Sequence, residues 1–241
     1  MAIELKKPES WAKAINALST FISEGNFRFN DSGISFKAID PSQIVLVDYS
    51  IVKSSFDKYS VDPSYVGVDL VELNKIMSRI LPNDRMTLEL TENEMSIHFA
   101  GDLSRSFRLP LIEVSEQEIN IPSTKFDATV EINARMFKEA LKDASLFGSS
   151  VVLRAKGNQF MIEARGSSGT LKTVAKETKN IVVKTTSEVV SKYSLNFLTN
   201  IIKEADQDSM IKLELKGDAP MKVSYSIGQS KIQFHLAHMI L

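Results

Sequence analysis

Few side chains in this 241-residue chain belong to types that do chemistry, and those few are poorly spaced for it. The absence of cysteine removes disulfides, thiolate metal sites and a cysteine nucleophile together. Three histidines remain, His98, His235 and His238. His98 falls in an alternating strand pattern. His235 and His238 lie three apart in a terminal strand with no acidic motif beside them, so neither set reads as a metal centre. Gly166-Ser167-Ser168-Gly169 has the small residues of a phosphate loop, but it lacks a Gly-Lys-Ser/Thr ending and opens no helix, so it reads as a plain loop. Glu92 with Glu94, and Asp206 with Asp208, are turn acids at hairpin or helix ends. No nucleophile stands beside a base, and the sequence predicts neither an enzyme nor a cofactor nor a metal. The one patterned set of charges is Arg135, Lys138 and Lys142, spaced i, i+3 and i+7, with Glu139 and Asp143 on the neighbouring flank. On a single helix this is a solvated face with local ion pairs. Repeated on several helices among small polar residues, it is a surface that touches phosphates without reading sequence.

The elements that carry these faces follow from periodicity. Ser10 caps a helix predicted to about Ser23, with Trp11, Ile15, Leu18 and Ile22 on one side. Asp69 caps a second to about Leu81, burying Leu70, Leu73, Ile76, Met77 and Ile80. Asn133 caps a third to about Phe147, with Met136, Phe137, Ala140, Leu141 and Ala144 inward. A fourth runs from about Ser194 to Ala205 over Leu195, Leu198, Ile201 and Ile202. Alternating strands fill the rest, among them NFRFN, ISFKAID, IVLVDYSIV, a strand opening at Phe56, MTLELTE, EMSIHFAG, VVLRAK, FMIEARG, TLKTVAKE and NIVVKTT. KLELKG, MKVSYSIG and KIQFHLAHMIL complete them. The plan is α+β, many antiparallel strands with two helices in each half.

The halves are copies. Leu70, Leu73 and Ile76 stand 125 positions before Leu195, Leu198 and Ile201, as do Leu88 and Leu90 before Leu213 and Leu215. Trp11, Ala14 and Phe21 stand 126 before Phe137, Ala140 and Phe147. A near-constant offset in one order is the mark of duplicated domains. Between them lies LPLIEVSEQEINIPST, which holds Pro110 and Pro122, three glutamates and no Lys or Arg, and reads as an extended connector. The predicted organisation is a domain at 1–109, a connector at 110–124 and a domain at 125–241. At 43% hydrophobic and 24% charged residues the composition is that of an ordinary globular protein, and no run of eighteen apolar residues predicts a membrane span. The net charge of −1 leaves nucleic-acid affinity to the placement of charge.

Specific runs then carry a resemblance. Ala38-Ile39-Asp40-Pro41-Ser42-Gln43-Ile44-Val45-Leu46-Val47, Phe56-Asp57-Lys58-Tyr59, Gly67-Val68-Asp69-Leu70, Ile119-Asn120-Ile121-Pro122, Leu195-Asn196-Phe197-Leu198 and Phe234-His235-Leu236-Ala237 resemble the DNA sliding clamps of archaea and eukaryotes. This is the proliferating cell nuclear antigen family. The likeness covers essentially the whole length, and the phenylalanine-arginine-leucine-proline run ending at Pro110 looks more archaeal than eukaryotic. It implies a clamp-fold subunit that closes with two further subunits, identical or related, into a pseudo-six-fold trimeric ring around duplex DNA. It implies a processivity factor of the archaeal cytoplasm, associated with the nucleoid, serving a clamp loader, DNA polymerase, flap endonuclease and DNA ligase. A clamp-like scaffold or checkpoint-type ring subunit is the alternative.

Carried over by residue, the resemblance places Lys13, Lys75, Arg79, Arg135, Lys138, Lys142 and Lys203 toward double-stranded DNA. Ser19 and Asn200 stand where relatives often carry basic residues. A partner-peptide pocket is implied at Ile39, Gln43, Ile44, Leu46, Ile119, Ile121, Pro122, Pro220, Leu236 and Ala237, with His238 in place of a common proline. Ring closure is expected through edge strands at 104–109, with Arg105, Phe107 and Leu109, and at 150–156, with Val151, Val152, Leu153 and Arg154.

Overall fold

A computed structural model describes residues 2–115, 119 and 123–240. Among them the first half of the chain forms β1 (Ala2–Leu5), α1 (Glu9–Ser19), β2 (Glu24–Asn30), β3 (Gly33–Ile39), β4 (Val45–Val52) and a 3-10 turn at Lys53–Ser55. It continues with β5 (Lys58–Ser60), β6 (Ser64–Asp69), α2 (Leu70–Met77), β7 (Arg85–Leu90), β8 (Glu94–Ala100) and β9 (Ser104–Pro110). The second half forms β10 (Ala128–Asn133), α3 (Ala134–Ser145), β11 (Ser150–Lys156), β12 (Gln159–Gly166), β13 (Gly169–Lys176) and β14 (Ile181–Thr185). It closes with β15 (Val189–Ser194), α4 (Leu195–Ile202), β16 (Met210–Leu215), β17 (Met221–Ile227) and β18 (Ser230–Leu236). The chain divides into two compact units, one of Met1–Pro41, Val47–Ile119 and Ser226–Ile232, the other of Ser42–Leu46, Asn120–Tyr225 and Gln233–Leu241.

Strand order repeats with the sequence. In the first half, strands run β5-β1-β7-β8-β9 on one side and β4-β3-β2-β6 on the other. In the second they run β14-β10-β16-β17-β18 and β13-β12-β11-β15. Registers repeat too: Phe27 pairs with Phe36 across β2 and β3, and Leu153 with Ile162 across β11 and β12, each partner 126 positions on. These inward rows are fully buried, and the Phe27 and Phe36 rings lie 4.9 Å apart. An identical register in both copies follows because a one-residue slip would turn every apolar side chain of a strand to solvent.

Helix starts show local chemistry directly. Asp69 accepts from the Glu72 N–H at 2.9 Å and Asn133 from the Met136 N–H at 3.3 Å, as their residue types predict. Ser10 is not the first cap. The cap is Pro8, two residues earlier, and α1 begins at Glu9, because Pro8 sits in helical φ, ready for a first turn. Ser194 precedes α4 without a side-chain cap bond. Met136 is 42% exposed rather than inward, since α3 buries a narrower stripe of Ala134, Phe137, Leu141 and Ala144.

Two strands escaped the sequence, β6 and β15, and they are counterparts of each other 125 positions apart. Each runs directly into a helix, so no turn residue announces its end. The strand expected from Phe56 opens at Lys58, because Lys53–Ser55 coils into a 3-10 turn closed by the Phe56 N–H to the Lys53 carbonyl at 3.1 Å. The expectation that 150–156 forms an edge is corrected. β11 pairs with β12 on one side and β15 on the other, so its backbone groups are spent within its own sheet. The edges of that sheet are β13 and β15.

Candidate nucleic-acid interface and partner-docking surfaces

The connector is positioned by β6. The Ile112 N–H donates to the Gly67 carbonyl at 3.0 Å, and the Asn26 amide donates to the Val114 carbonyl at 3.0 Å. A side chain at Gly67 would collide with the connector, since its Cβ would lie 2.1 Å from the Ile112 oxygen. Glycine is required there by close approach of two backbones. Beyond this clamp Val114, Ser115 and Ile119 share a cleft of about 110 Å3 with Ile39, Lys37 and Tyr65. The cleft unites two expected pocket residues, Ile39 and Ile119, and adds Tyr65 and Val114, which the sequence did not single out.

In the second unit the Ala237 N–H donates to the Ile44 carbonyl at 2.9 Å, so these two expected residues are held together. Two residues further, the Met239 N–H donates to the Lys192 carbonyl at 2.8 Å. Leu46 and Ile44 are half-buried, Gln43 and Pro220 exposed. Gln43 has φ +58, the left-handed region that a non-glycine residue adopts chiefly in turns. Leu236 is fully buried, a core residue rather than a surface anchor. Ile121 and Pro122 lie outside the described residues.

The expected DNA-facing cations sit on helices, but their charge is held close. Within the first unit α1 packs on α2, joined by the Asn74 amide donating to the Asn16 side-chain oxygen at 3.2 Å. Lys13, Lys75 and Arg79 are exposed, and Lys75 bonds Glu72 at 2.5 Å. That contact raises the Lys75 pKa, the hydrogen bond to Glu72 being the main cause. Within the second unit α3 packs on α4. Arg135 meets Asp208 at 2.9 Å and Lys142 meets Glu139 at 2.6 Å. The Lys138 ammonium departs from expectation. It folds across to α4 and donates to the carbonyls of Lys203 at 2.9 Å and Ala205 at 2.6 Å, closing the negative end of that helix. The Lys203 side chain is exposed.

Two long strands, β9 and β13, lie at the ends of their sheets. On β9 Phe107 stands edge-on to Phe99 at 5.6 Å and is half-buried, while Leu109 is core. Arg105 is structural. It bonds the buried Asp84 carboxylate, donates to the Arg79 carbonyl at 2.6 Å and stacks over Phe99 at 5.3 Å. On β11, Val151 and Leu153 are fully buried and Arg154 pairs with Glu188 at 2.8 Å, so this strand offers little to a neighbour. The open strand β13 shows Val174 at 46% exposure, and Leu146, 70% exposed, ends α3 near its start. Gly166 and Gly169 form the tight turn into β13, and Ser168 donates to the Leu146 carbonyl at 3.4 Å. The stretch TLKTVAKE places Lys172, Val174 and Lys176 on its exposed face.

No helix of the described residues is long and apolar enough to cross a membrane. Among the same residues no three His, Cys, Asp or Glu side chains converge as a metal site. His98 instead shares a hydrogen bond with the Ser106 hydroxyl at 3.0 Å.

Comparison with known proteins gives the family. The family model for the proliferating cell nuclear antigen N-terminal domain matches residues 1–118, and that for its C-terminal domain matches residues 120–240. The DNA polymerase sliding clamp of Pyrococcus furiosus is 31% identical over 95% of this chain and 94% of its own. That of Methanococcus vannielii is 31% identical over the same shares. A crystal structure of PCNA from Thermococcus kodakaraensis superposes with a TM-score of 0.94 at 26% identity, covering 99% of both chains. The chain belongs to the proliferating cell nuclear antigen family.

Proposed function

We propose that this chain is a DNA polymerase sliding clamp that closes with two further clamp subunits, identical or related, into a ring around duplex DNA, acting by topology and without catalysis. Its working parts are the two clamp domains, 1–109 and 125–241, and the connector at 110–124 between them. The observation that carries the ring is the pair of long open edges, β9 and β13, in a chain whose other copies of these strands are buried. β18 is the counterpart of β9, and β4 of β13. Just beyond β18 the Ala237 N–H reaches the Ile44 carbonyl just before β4. In this proposal β9 of one copy pairs with β13 of the next. Such a head-to-tail contact uses different surfaces on each side and generates a closed ring when its rotation closes.

The helix faces suit a protein that holds DNA without reading it. Lys13, Lys75, Arg79, Arg135, Lys142 and Lys203 are sparse and interspersed with Asn, Ser and Thr. Several are matched by carboxylates. Attraction to phosphates is then weak, independent of sequence and sensitive to salt. Lys138 contributes by tying α3 to α4.

Partners dock, in this proposal, through the cleft of Ile39 and Ile119 together with Gln43, Ile44, Leu46, Ile121, Pro122, Pro220 and Ala237. The occupant is a short peptide with apolar anchors borne by polymerase, flap endonuclease or ligase. Each buried anchor is worth about 1.5–3 kcal/mol. Three of them with backbone hydrogen bonds reach the roughly −8 kcal/mol of micromolar binding, which permits exchange. The setting is the nucleoid of an archaeal cytoplasm, after the archaeal source of the relatives.

Primer extension on primed circular DNA tests the function. With a clamp loader and an archaeal polymerase, the chain is expected to lengthen products at unchanged initiation. Products of equal length with and without it would overturn the proposal.

A further inference from the structure

Three consecutive residues of β15 hold two separate pieces of the second unit. The Ser191 hydroxyl donates to the Lys216 carbonyl at 3.0 Å and accepts from the Asp218 N–H at 2.9 Å. The Lys192 carbonyl accepts from the Met239 N–H at 2.8 Å. The Tyr193 hydroxyl donates to the Ala219 carbonyl at 3.1 Å. The side-chain bonds fix the turn between β16 and β17, which ends in Pro220. The backbone bond fixes the segment after β18, which carries Ala237, itself bonded to Ile44. Pro220, Ala237 and Ile44 all belong to the docking surface proposed above. We infer, resting on that docking reading, that Ser191 and Tyr193 are positioning residues for the partner peptide. Both are fully buried, so neither reaches a partner, and they act through the turn that they hold.

The duplication shows that the fold itself does not require these hydroxyls. Their counterparts 125 positions earlier, on β6, are Val66 and Val68, apolar and buried. The turn between β7 and β8, counterpart of the turn at 216–220, closes on itself. There the Thr91 N–H donates to the Glu94 carbonyl at 3.0 Å, and the Glu94 N–H to the Thr91 hydroxyl at 3.2 Å. The backbone bond from Met239 to Lys192, by contrast, has its twin in the bond from Ile112 to Gly67, so both copies keep it. What the second copy adds is the pair of side-chain ties, on a turn that carries a proposed docking residue.

The turn gains from being held. Asp218 has φ +47, a left-handed conformation that a residue other than glycine adopts only when its surroundings enforce it. Its own N–H is the group that Ser191 accepts. Burial pushes the Tyr193 phenol up to about 12, so it stays protonated and donating at neutral pH. A turn released from these ties would hold the docking geometry only part of the time. Apparent affinity for a partner then falls in proportion to that fraction, although no group that touches the partner has changed.

Tyr225→Phe is the control. The Tyr225 phenol is also buried and donates to a backbone carbonyl, that of Ile201 at 2.6 Å, but the bond ends on α4, which carries no proposed docking residue. Binding of a fluorescently labelled short peptide with three apolar anchors is read by anisotropy on the full chain, and amide hydrogen exchange is read without peptide. Ser191→Ala and Tyr193→Phe are expected to speed exchange at Asp218. They should raise the peptide Kd by about fivefold, the equivalent of one ordinary hydrogen bond. Tyr225→Phe should lower the melting temperature to a similar degree at unchanged Kd. Faster exchange at Asp218 with the original Kd would overturn the inference and leave the docking proposal standing. A Kd raised equally by Tyr225→Phe would overturn it as well, since general loosening would then explain the loss. Failure of the unaltered chain to bind the peptide would overturn the docking reading, and this inference with it.

Discussion

β4 and β13 occupy the same place in the two copies, third strand after a helix, yet their surroundings differ completely. In β4, Val45, Val47 and Tyr49 are fully buried and Ile51 nearly so. In β13 no residue is buried, and Val174 faces solvent. The same contrast separates β18, where Ser230, Ile232, Phe234 and Leu236 are buried, from β9, where only Leu109 is. A duplicated fold gives equal strands equal chances of burial. Where one copy is buried and its twin is open, the twin lacks a neighbour that the isolated chain does not supply. Long open edges are otherwise avoided, because their unpaired N–H and C=O groups recruit foreign strands.

The largest effect is expected at the open strands themselves. Val174→Glu places a charge on the β13 edge and should convert the proposed trimer to monomer at micromolar concentration, as read by light scattering. Val152→Glu, on the interior strand β11, should leave the trimer intact. If the two variants behave alike, the contrast between strands carries no information about assembly. Equivalent core positions should respond equally whatever happens at the edges. Leu88→Ala and Leu213→Ala, 125 positions apart and both fully buried, should each cost about 2–5 kcal/mol in denaturant unfolding. A large difference would mean that the copies have diverged in packing as well as in edges.

Capping separates the copies more finely. Asp69→Ala removes a 2.9 Å cap bond from α2 and should cost about 1 kcal/mol. Ser194→Ala removes no side-chain cap bond from α4 and should cost only tenths of that. The smallest effect concerns Glu188, which pins the outer residues of β11. Hydrogen bonds from Lys156 and then Arg154 hold its carboxyl below the usual glutamate range. Its folded pKa lies under the unfolded one, so its stabilisation is full above the unfolded value and fades as pH falls through the folded one. Glu188→Gln should therefore flatten the acid side of the melting profile slightly and leave the trimer unchanged. A dissociated trimer would return β11 to the interface.

Much of the fold was legible because it was written twice. The helix caps Asp69 and Asn133, the turn Asn30-Asp31-Ser32-Gly33 and the inward row of Phe27, Phe29 and Phe36 are local signals, and each occurs where its chemistry demands. In that turn the Asn30 side chain accepts from the Ser32 N–H at 2.9 Å, as Asn in such turns does. β6 and β15 were lost because a strand that enters a helix without a turn has no punctuation. Ser150–Lys156 looked like an edge because VVLRAK has the length and β-branching of any strand, and periodicity says which residues face inward, not which strand lies beside it. The candidate surfaces were legible only in part. Ile39 and Ile119 were named from a resemblance, whereas Tyr65 and Val114, which share their cleft, carry no motif.

Residue order alone determined the duplication, the helix faces, the absence of thiol chemistry and the connector, since each is a matter of spacing or type along the chain. Tertiary structure decided which strands stay open and where the cations spend their charge. Lys138 reads like its neighbours in sequence, yet it reaches 65 positions onward to the carbonyl of Lys203. Partners of that kind are set by packing, which brings together groups whose separation along the chain says nothing about their distance in space.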